Sequence, residues 1–129
     1  MGHMARILIV DDDSAIRRVL RMMFERSAYD VVEADSAAAA LDMLDGPAAP
    51  DAVVSDVLMP GINGLAFYRE LATRAPHLRQ RVVFLTGANA DPHVHNSIEQ
   101  LGVPLLGKLG DLNLVVDAIA LALLRRPRA

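Results

Sequence analysis

The chain has 129 residues, 53% of them hydrophobic, with a net charge of −3 at neutral pH and a pI near 5.7. That length suits one domain able to bury its own core, and the mild acidity gives no global attraction to nucleic acid. The absence of cysteine excludes disulfides, thiol catalysis and cysteine-bound zinc, and no apolar run is long enough to span a bilayer, so a soluble cytoplasmic domain with no membrane contact is expected.

Met1-Gly2-His3 ahead of Met4 resembles a cloning remnant, so residues 1–3 are set aside and the domain is expected over 4–125. Arg6 to Val10 (RILIV) is a short apolar run ending on Asp11-Asp12-Asp13. Beyond Ser14, Ile16, Val19, Leu20, Met23 and Phe24 recur at helical spacing, with Arg17, Arg18, Arg21 and Glu25 on the other face. Asp13 is assigned to the cap of that helix. Tyr29 to Ala34 reads as a second strand, and Ser36 can cap an alanine-rich helix running to about Leu44 before Gly46, Pro47 and Pro50 close it.

Ala52 to Ser55 is short and rich in valine between Pro50 and Pro60, the pattern of a strand buried on both faces, and it ends on Asp56. Leu65, Phe67, Tyr68 and Leu71 predict a third helix stopped near Pro76. Arg81 to Leu85 is the fourth strand, ending on Thr86-Gly87, and Asp91-Pro92 opens a helix lasting to about Leu101. Leu105 to Gly107 is a fifth strand ending on Lys108, followed by a helix over Asp111 to Arg125 with Leu112, Val115, Val116, Ile119 and Leu123 inward. Arg126 and Arg128 in 126–129 make a basic tail or the start of a linker.

Strict alternation of strand and helix implies an α/β fold, a flavodoxin-like (βα)5 doubly wound parallel sheet in three layers with strand order 2-1-3-4-5. In that order the first and third strands are neighbours, so Asp11, Asp12 and Asp56 converge where chain direction reverses, and Thr86 and Lys108 end the strands beyond. Carboxylates 4 Å apart repel by about 4 kcal/mol per pair at an effective dielectric near 20, so a positive partner is required. Mg²⁺ suits an all-oxygen donor set and keeps positions open for water and phosphate. Lys108 can neutralise a phosphoryl oxygen or hold Asp56 when no phosphate is there, and the Thr86 hydroxyl can donate to another oxygen. A carboxylate in such company is equipped to attack phosphorus and become an acyl phosphate.

Asp11-Asp12 after the first strand, Asp56 in S-D-V-L-M-P-G-I-N-G, Thr86 in F-L-T-G and Lys108 near the end form an ordered set that resembles the receiver domain of two-component response regulators over nearly the whole chain. The resemblance implies that Asp56 is the phosphoacceptor. It implies that Asp11 and Asp12 hold Mg²⁺ with Asp56 and the Leu58 backbone carbonyl, and that Thr86 and Lys108 contact the phosphoryl group. The donor would be a phosphohistidine on a histidine kinase or phosphotransfer protein. The domain would be a phosphorelay switch that loses its own phosphoryl group and turns over no external substrate.

Three departures from that family qualify the expectation. Leu109-Gly110 follows Lys108 where the family has proline with a cis bond; a cis bond without proline costs about 3 to 4 kcal/mol, so Lys108-Leu109 is expected trans. Leu105 stands where the family tends to place a switching aromatic, which predicts weak transmission or another route through the fourth and fifth helices. Leu58 and Ala88 lack polar groups to align water, which predicts slow self-dephosphorylation.

Leu114, Leu121 and Leu124, with Ala118 between, form a second apolar line on the last helix, and such a patch marks a partner surface. A homodimer or kinase docking face through the fourth helix, fifth strand and fifth helix is expected, with output through a partner protein or an effector domain outside this chain. A degenerate receiver serving only protein binding is one alternative. A haloacid-dehalogenase-type phosphatase using Asp11-x-Asp13 is another, against which stand Ala15 and the lack of room for a substrate cap. A flavin carrier of the same fold is opposed by the acidic first loop, where a phosphate needs amide donors.

Overall fold

Short runs dense in valine, isoleucine and leucine become strands because branched side chains fit a pleated surface covered on both sides. The computed structural model describes residues 4–87 and 91–125; the expected remnant 1–3, Ala88 and the basic tail 126–129 lie outside the described residues. The strands are β1 (Arg6–Val10), β2 (Asp30–Ala34), β3 (Ala52–Asp56), β4 (Val82–Thr86) and β5 (Leu105–Gly107), all paired in parallel in the order β2-β1-β3-β4-β5. Between and after them run α1 (Ser14–Arg26), α2 (Ala37–Asp42), α3 (Gly64–Arg74), α4 (Pro92–Glu99) and α5 (Asn113–Leu123), with a short 3₁₀ turn at Pro76–Leu78. The expected doubly wound sheet and its strand order are observed.

Alternate residues of each strand feed two separate cores. Ile7, Ile9, Val54, Val83 and Leu85 pack under Leu20 and Phe24 of α1 and Val115 and Ile119 of α5. Leu8, Val10, Val53, Val82 and Phe84 face Ala40 of α2, Phe67 and Leu71 of α3 and Ile98 of α4. Each fully buried large side chain contributes about 1.5 to 3 kcal/mol, which holds the sheet rigid and its carboxyl-terminal edge in place. β3 is buried along its whole length, as its composition predicts.

Three helices stop short of their expected ends because their final turns tighten into i to i+3 hydrogen bonds. In α2 these are Met43 N–H to Ala40 O and Leu44 N–H to Leu41 O; after α4 they are Leu101 to Ile98 and Gly102 to Glu99. α5 is tightened at both ends, by Leu114 to Asp111 and Val115 to Leu112, then Leu124 to Leu121 and Arg125 to Ala122. α1 ends in a Schellman arrangement: Tyr29 N–H bonds Phe24 O and Ala28 N–H bonds Glu25 O, while the Phe24 and Tyr29 rings meet edge to face at 5.7 Å. Ala28 takes the left-handed position with φ 66°, where glycine is unstrained. Ala28→Gly is therefore expected to raise stability by about 0.5 to 1 kcal/mol; a midpoint in urea that stays or falls would show that the strain is absent.

Candidate functional site

The sheet brings Asp11, Asp12, Asp56, Thr86 and Lys108 to its carboxyl-terminal edge. Asp11 and Asp12 directly follow β1, Asp56 is the last residue of β3, Thr86 the last of β4, and Lys108 follows β5. β1 and β3 are hydrogen-bonded neighbours, with Val10 opposite Ser55. Strand order therefore makes one pocket of carboxylates more than forty positions apart. Carboxylate oxygens of Asp11, Asp12 and Asp56 lie within 4.8 Å of one another. Asp11 and Asp56 are buried, 1% and 5% exposed, and Asp12 faces solvent.

Lys108 joins the two buried acids. Its Nζ is 2.8 Å from Asp56 Oδ2 and 2.8 Å from Asp11 Oδ2. The contact with Asp56 is a directed hydrogen bond, and Asp11 Oδ2, shielded from solvent, meets the same ammonium as an ion pair at poorer alignment. The remaining oxygens accept from the backbone: Asp11 Oδ1 from Asp13 N–H at 2.9 Å and Asp56 Oδ1 from Leu58 N–H at 3.2 Å. Burial raises the Asp11 carboxyl above its ordinary value, and the Asp56 charge adds to this; Lys108 and the Asp13 amide offset only part of the rise. Burial alone would lower the Lys108 ammonium, but the two carboxylates outweigh it and its pKa is raised.

These residues fit a hard divalent cation. Three carboxylates from two strand ends supply the oxygen donors, and Asp11 Oδ2 is a buried anionic oxygen with lone pairs still to direct. The Asp13 carboxylate lies outside this cluster: it is exposed and its Oδ1 accepts from Ala15 N–H, capping α1 as expected. The Thr86 hydroxyl is turned to Gly87 O at 3.4 Å, a weak bond that frees easily. Leu105 is half-buried opposite Phe84 in the α2–α4 core.

Two further features position this pocket. The Lys108-Leu109 bond is trans, as expected, and a turn takes the place of proline: Gly110 N–H bonds Gly107 O while Lys108 N–H bonds Thr86 O. Gly64 closes the loop after Asp56 by donating to Val57 O at 2.7 Å. A Cβ there would lie 3.0 Å from Val57 Cα and from Phe84 Cε1, so any larger residue would crowd that approach. Leu114 and Leu121 of α5 and Leu124 at its cap are exposed, and Ala118 between them is half-buried against the α1 and α5 core. Among the described residues no helix is long and apolar enough to cross a membrane.

The fold and crevice define the class: a flavodoxin-like α/β domain whose charged residues gather where the sheet reverses direction. The sequence profile of the response regulator receiver domain matches residues 7–120, and the chain belongs to that family, the receiver domains of two-component response regulators. It is 33% identical over 115 residues to the transcriptional regulatory protein FixJ of Azorhizobium caulinodans, covering 89% of this chain and 53% of that protein. The response regulator MprA of Mycobacterium avium is 42% identical over 73 residues, 57% of this chain and 32% of that protein. The chain thus spans about half, or less, of the length of these curated relatives. A receiver domain protein of Clostridium thermocellum superposes with a TM-score of 0.80 at 26% identity, over 93% of this chain and 94% of that one. A CheY-like receiver domain of Methanospirillum hungatei shares the fold, with a TM-score of 0.81 at 22% identity over 94% of each chain.

Proposed function

We propose that the chain is a Mg²⁺-dependent phosphorylation switch in which Asp56 accepts a phosphoryl group from a phosphohistidine of a partner kinase or phosphotransfer protein. The observation that carries this reading is the buried Asp56 carboxylate held by Lys108 within reach of Asp11 and Asp12. An Asp56 oxygen attacks phosphorus, the bond from phosphorus to the imidazole nitrogen breaks, and the imidazole leaves with the electron pair. Asp11, Asp12, Asp56 and the Leu58 carbonyl would hold the cation, whose contribution is to neutralise the phosphoryl oxygens and the crowded acids. Lys108 then exchanges Asp56 for a phosphoryl oxygen, and the Thr86 hydroxyl leaves Gly87 O to donate to another. Leu58, apolar and two residues past the acceptor, supports slow loss of the phosphoryl group to water.

Incubation with Mg²⁺ and acetyl phosphate, read by intact mass, is expected to add one phosphoryl group to the original chain and none to Asp56→Asn. Uptake by the variant would move the acceptor elsewhere; no uptake by either, with the cation bound, would leave a protein-binding module.

Output would pass through a partner protein or an effector domain outside these residues. The docking face, for a second copy or the kinase, would combine the exposed Leu114, Leu121 and Leu124 with α4 and the short edge strand β5. Leu121→Glu is expected to leave stability within about 0.5 kcal/mol while weakening self-association or kinase transfer; sedimentation and transfer rates equal to the original would place docking elsewhere.

A further inference from the structure

Asp11 is pinned at three of its four polar positions. Its N–H continues the sheet by donating to Ala34 O at 3.1 Å, and its Oδ1 accepts from Asp13 N–H. Its carbonyl, past the last paired residue of β1, accepts instead from a side chain: Arg17 Nη1 donates to Asp11 O at 2.6 Å. The same guanidinium sends Nε to Glu33 Oε1 of β2 at 3.1 Å, and Glu33 Oε2 is taken by Arg21 Nη1 at 2.6 Å. Only Asp11 Oδ2 is left, the oxygen that faces Lys108 and the acidic pocket.

We propose that Arg17 is a positioning residue for cation binding: it holds the Asp11 carbonyl while Glu33 anchors its other edge, and so fixes the loop that presents Asp11 and Asp12. This rests on the reading of those acids as cation ligands. A strand end followed by three consecutive aspartates repels itself, and an unbraced loop would relax by swinging the acids apart. Arg17 opposes that relaxation with a positive charge and a directed donor, on a side chain only 18% exposed. The planar fork matters because its donors point to two acceptors in fixed directions, which a lysine's single ammonium does not reproduce. Partners that orient a ligand without touching the metal change affinity by about 10 to 100-fold when removed.

The test is a Mn²⁺ titration of the whole, unphosphorylated chain by water-proton relaxation, alongside amide hydrogen exchange without metal. Arg17→Met is expected to weaken Mn²⁺ about 10-fold and to speed exchange at the Asp13 and Ala15 amides while the β3 and β4 amides keep their rates. Arg17→Lys should recover part of the affinity, and Glu33→Gln, which keeps the fold should Arg17→Met not, should lose part of it. Variants that unfold more easily yet bind Mn²⁺ like the original would overturn the proposal and leave Arg17 a structural brace. An original chain that takes up no Mn²⁺ would instead overturn the cation reading, and unchanged exchange at Asp13 would then overturn the role of Arg17 in the loop as well.

Discussion

Lys108→Ala lowers the stability of the metal-free chain by about 2 to 3 kcal/mol, because it leaves Asp11 and Asp56 buried together without their shared cation. The penalty depends on the acids remaining charged. In the Asp56→Asn background one charge is gone, so the same substitution should cost markedly less, and saturating Mg²⁺ should remove much of the deficit in the original background. The pH dependence has a definite sign. Lys108 has a folded-state pKa above 10.5, so its contribution is complete below that value and disappears as pH rises through the folded-state value. Asp11 has a folded-state pKa above 3.8, so ionising it opposes folding, and lowering the pH through that raised value removes the opposition. The deficit of Lys108→Ala should accordingly shrink toward acid. Urea midpoints across pH, with and without Mg²⁺, check this; an equal loss in both backgrounds would mean that Lys108 acts by packing alone.

Gly64→Ala is expected to cost about 1 to 3 kcal/mol and to disturb the site as well as the core. The added Cβ meets two obstacles at 3.0 Å, and they differ in kind. The edge of Phe84 can move, but Val57 Cα is backbone, one residue past Asp56, and is tied by Val57 N–H to Leu85 O at 2.9 Å. Relaxation must therefore displace the loop that carries Leu58, whose N–H is bonded to Asp56 Oδ1. Trimming the movable obstacle in Gly64→Ala/Phe84→Leu should recover less than half of the loss attributable to Gly64→Ala, measured against Phe84→Leu alone. Full recovery would show that the backbone contact is harmless. Phosphoryl uptake from acetyl phosphate should slow in Gly64→Ala with the acceptor intact, separating loop placement from loss of the carboxylate.

Much of the fold is legible because each element is amphipathic or wholly apolar over its own length. The β1 and β5 boundaries agree with their runs, and Asp13, Ser36 and Asp91 cap the helices they precede. The helix ends were less legible, since a periodicity does not reveal where an α turn tightens to i to i+3 bonding. Ala118 falls in line with Leu114 and Leu121 by helical spacing, and it is half-buried, packed against the core, where the two leucines are exposed. Arg17 read as one more charge on a solvated face, because nothing local shows that its guanidinium reaches a carbonyl six residues back.

The residue types alone determined the alternation of strands and helices, the presence of acids at two strand ends, and a threonine and lysine at two others. Those are properties of short windows, set by side-chain shape and polarity. Only the tertiary structure decided that one lysine serves both buried carboxylates, that a hydrogen-bonded Gly107–Gly110 turn seats it, and that Gly64 sits in close contact with Val57 and Phe84. Each of these depends on distances between segments far apart in the chain, which are fixed by strand order and by the close packing of both faces of the sheet.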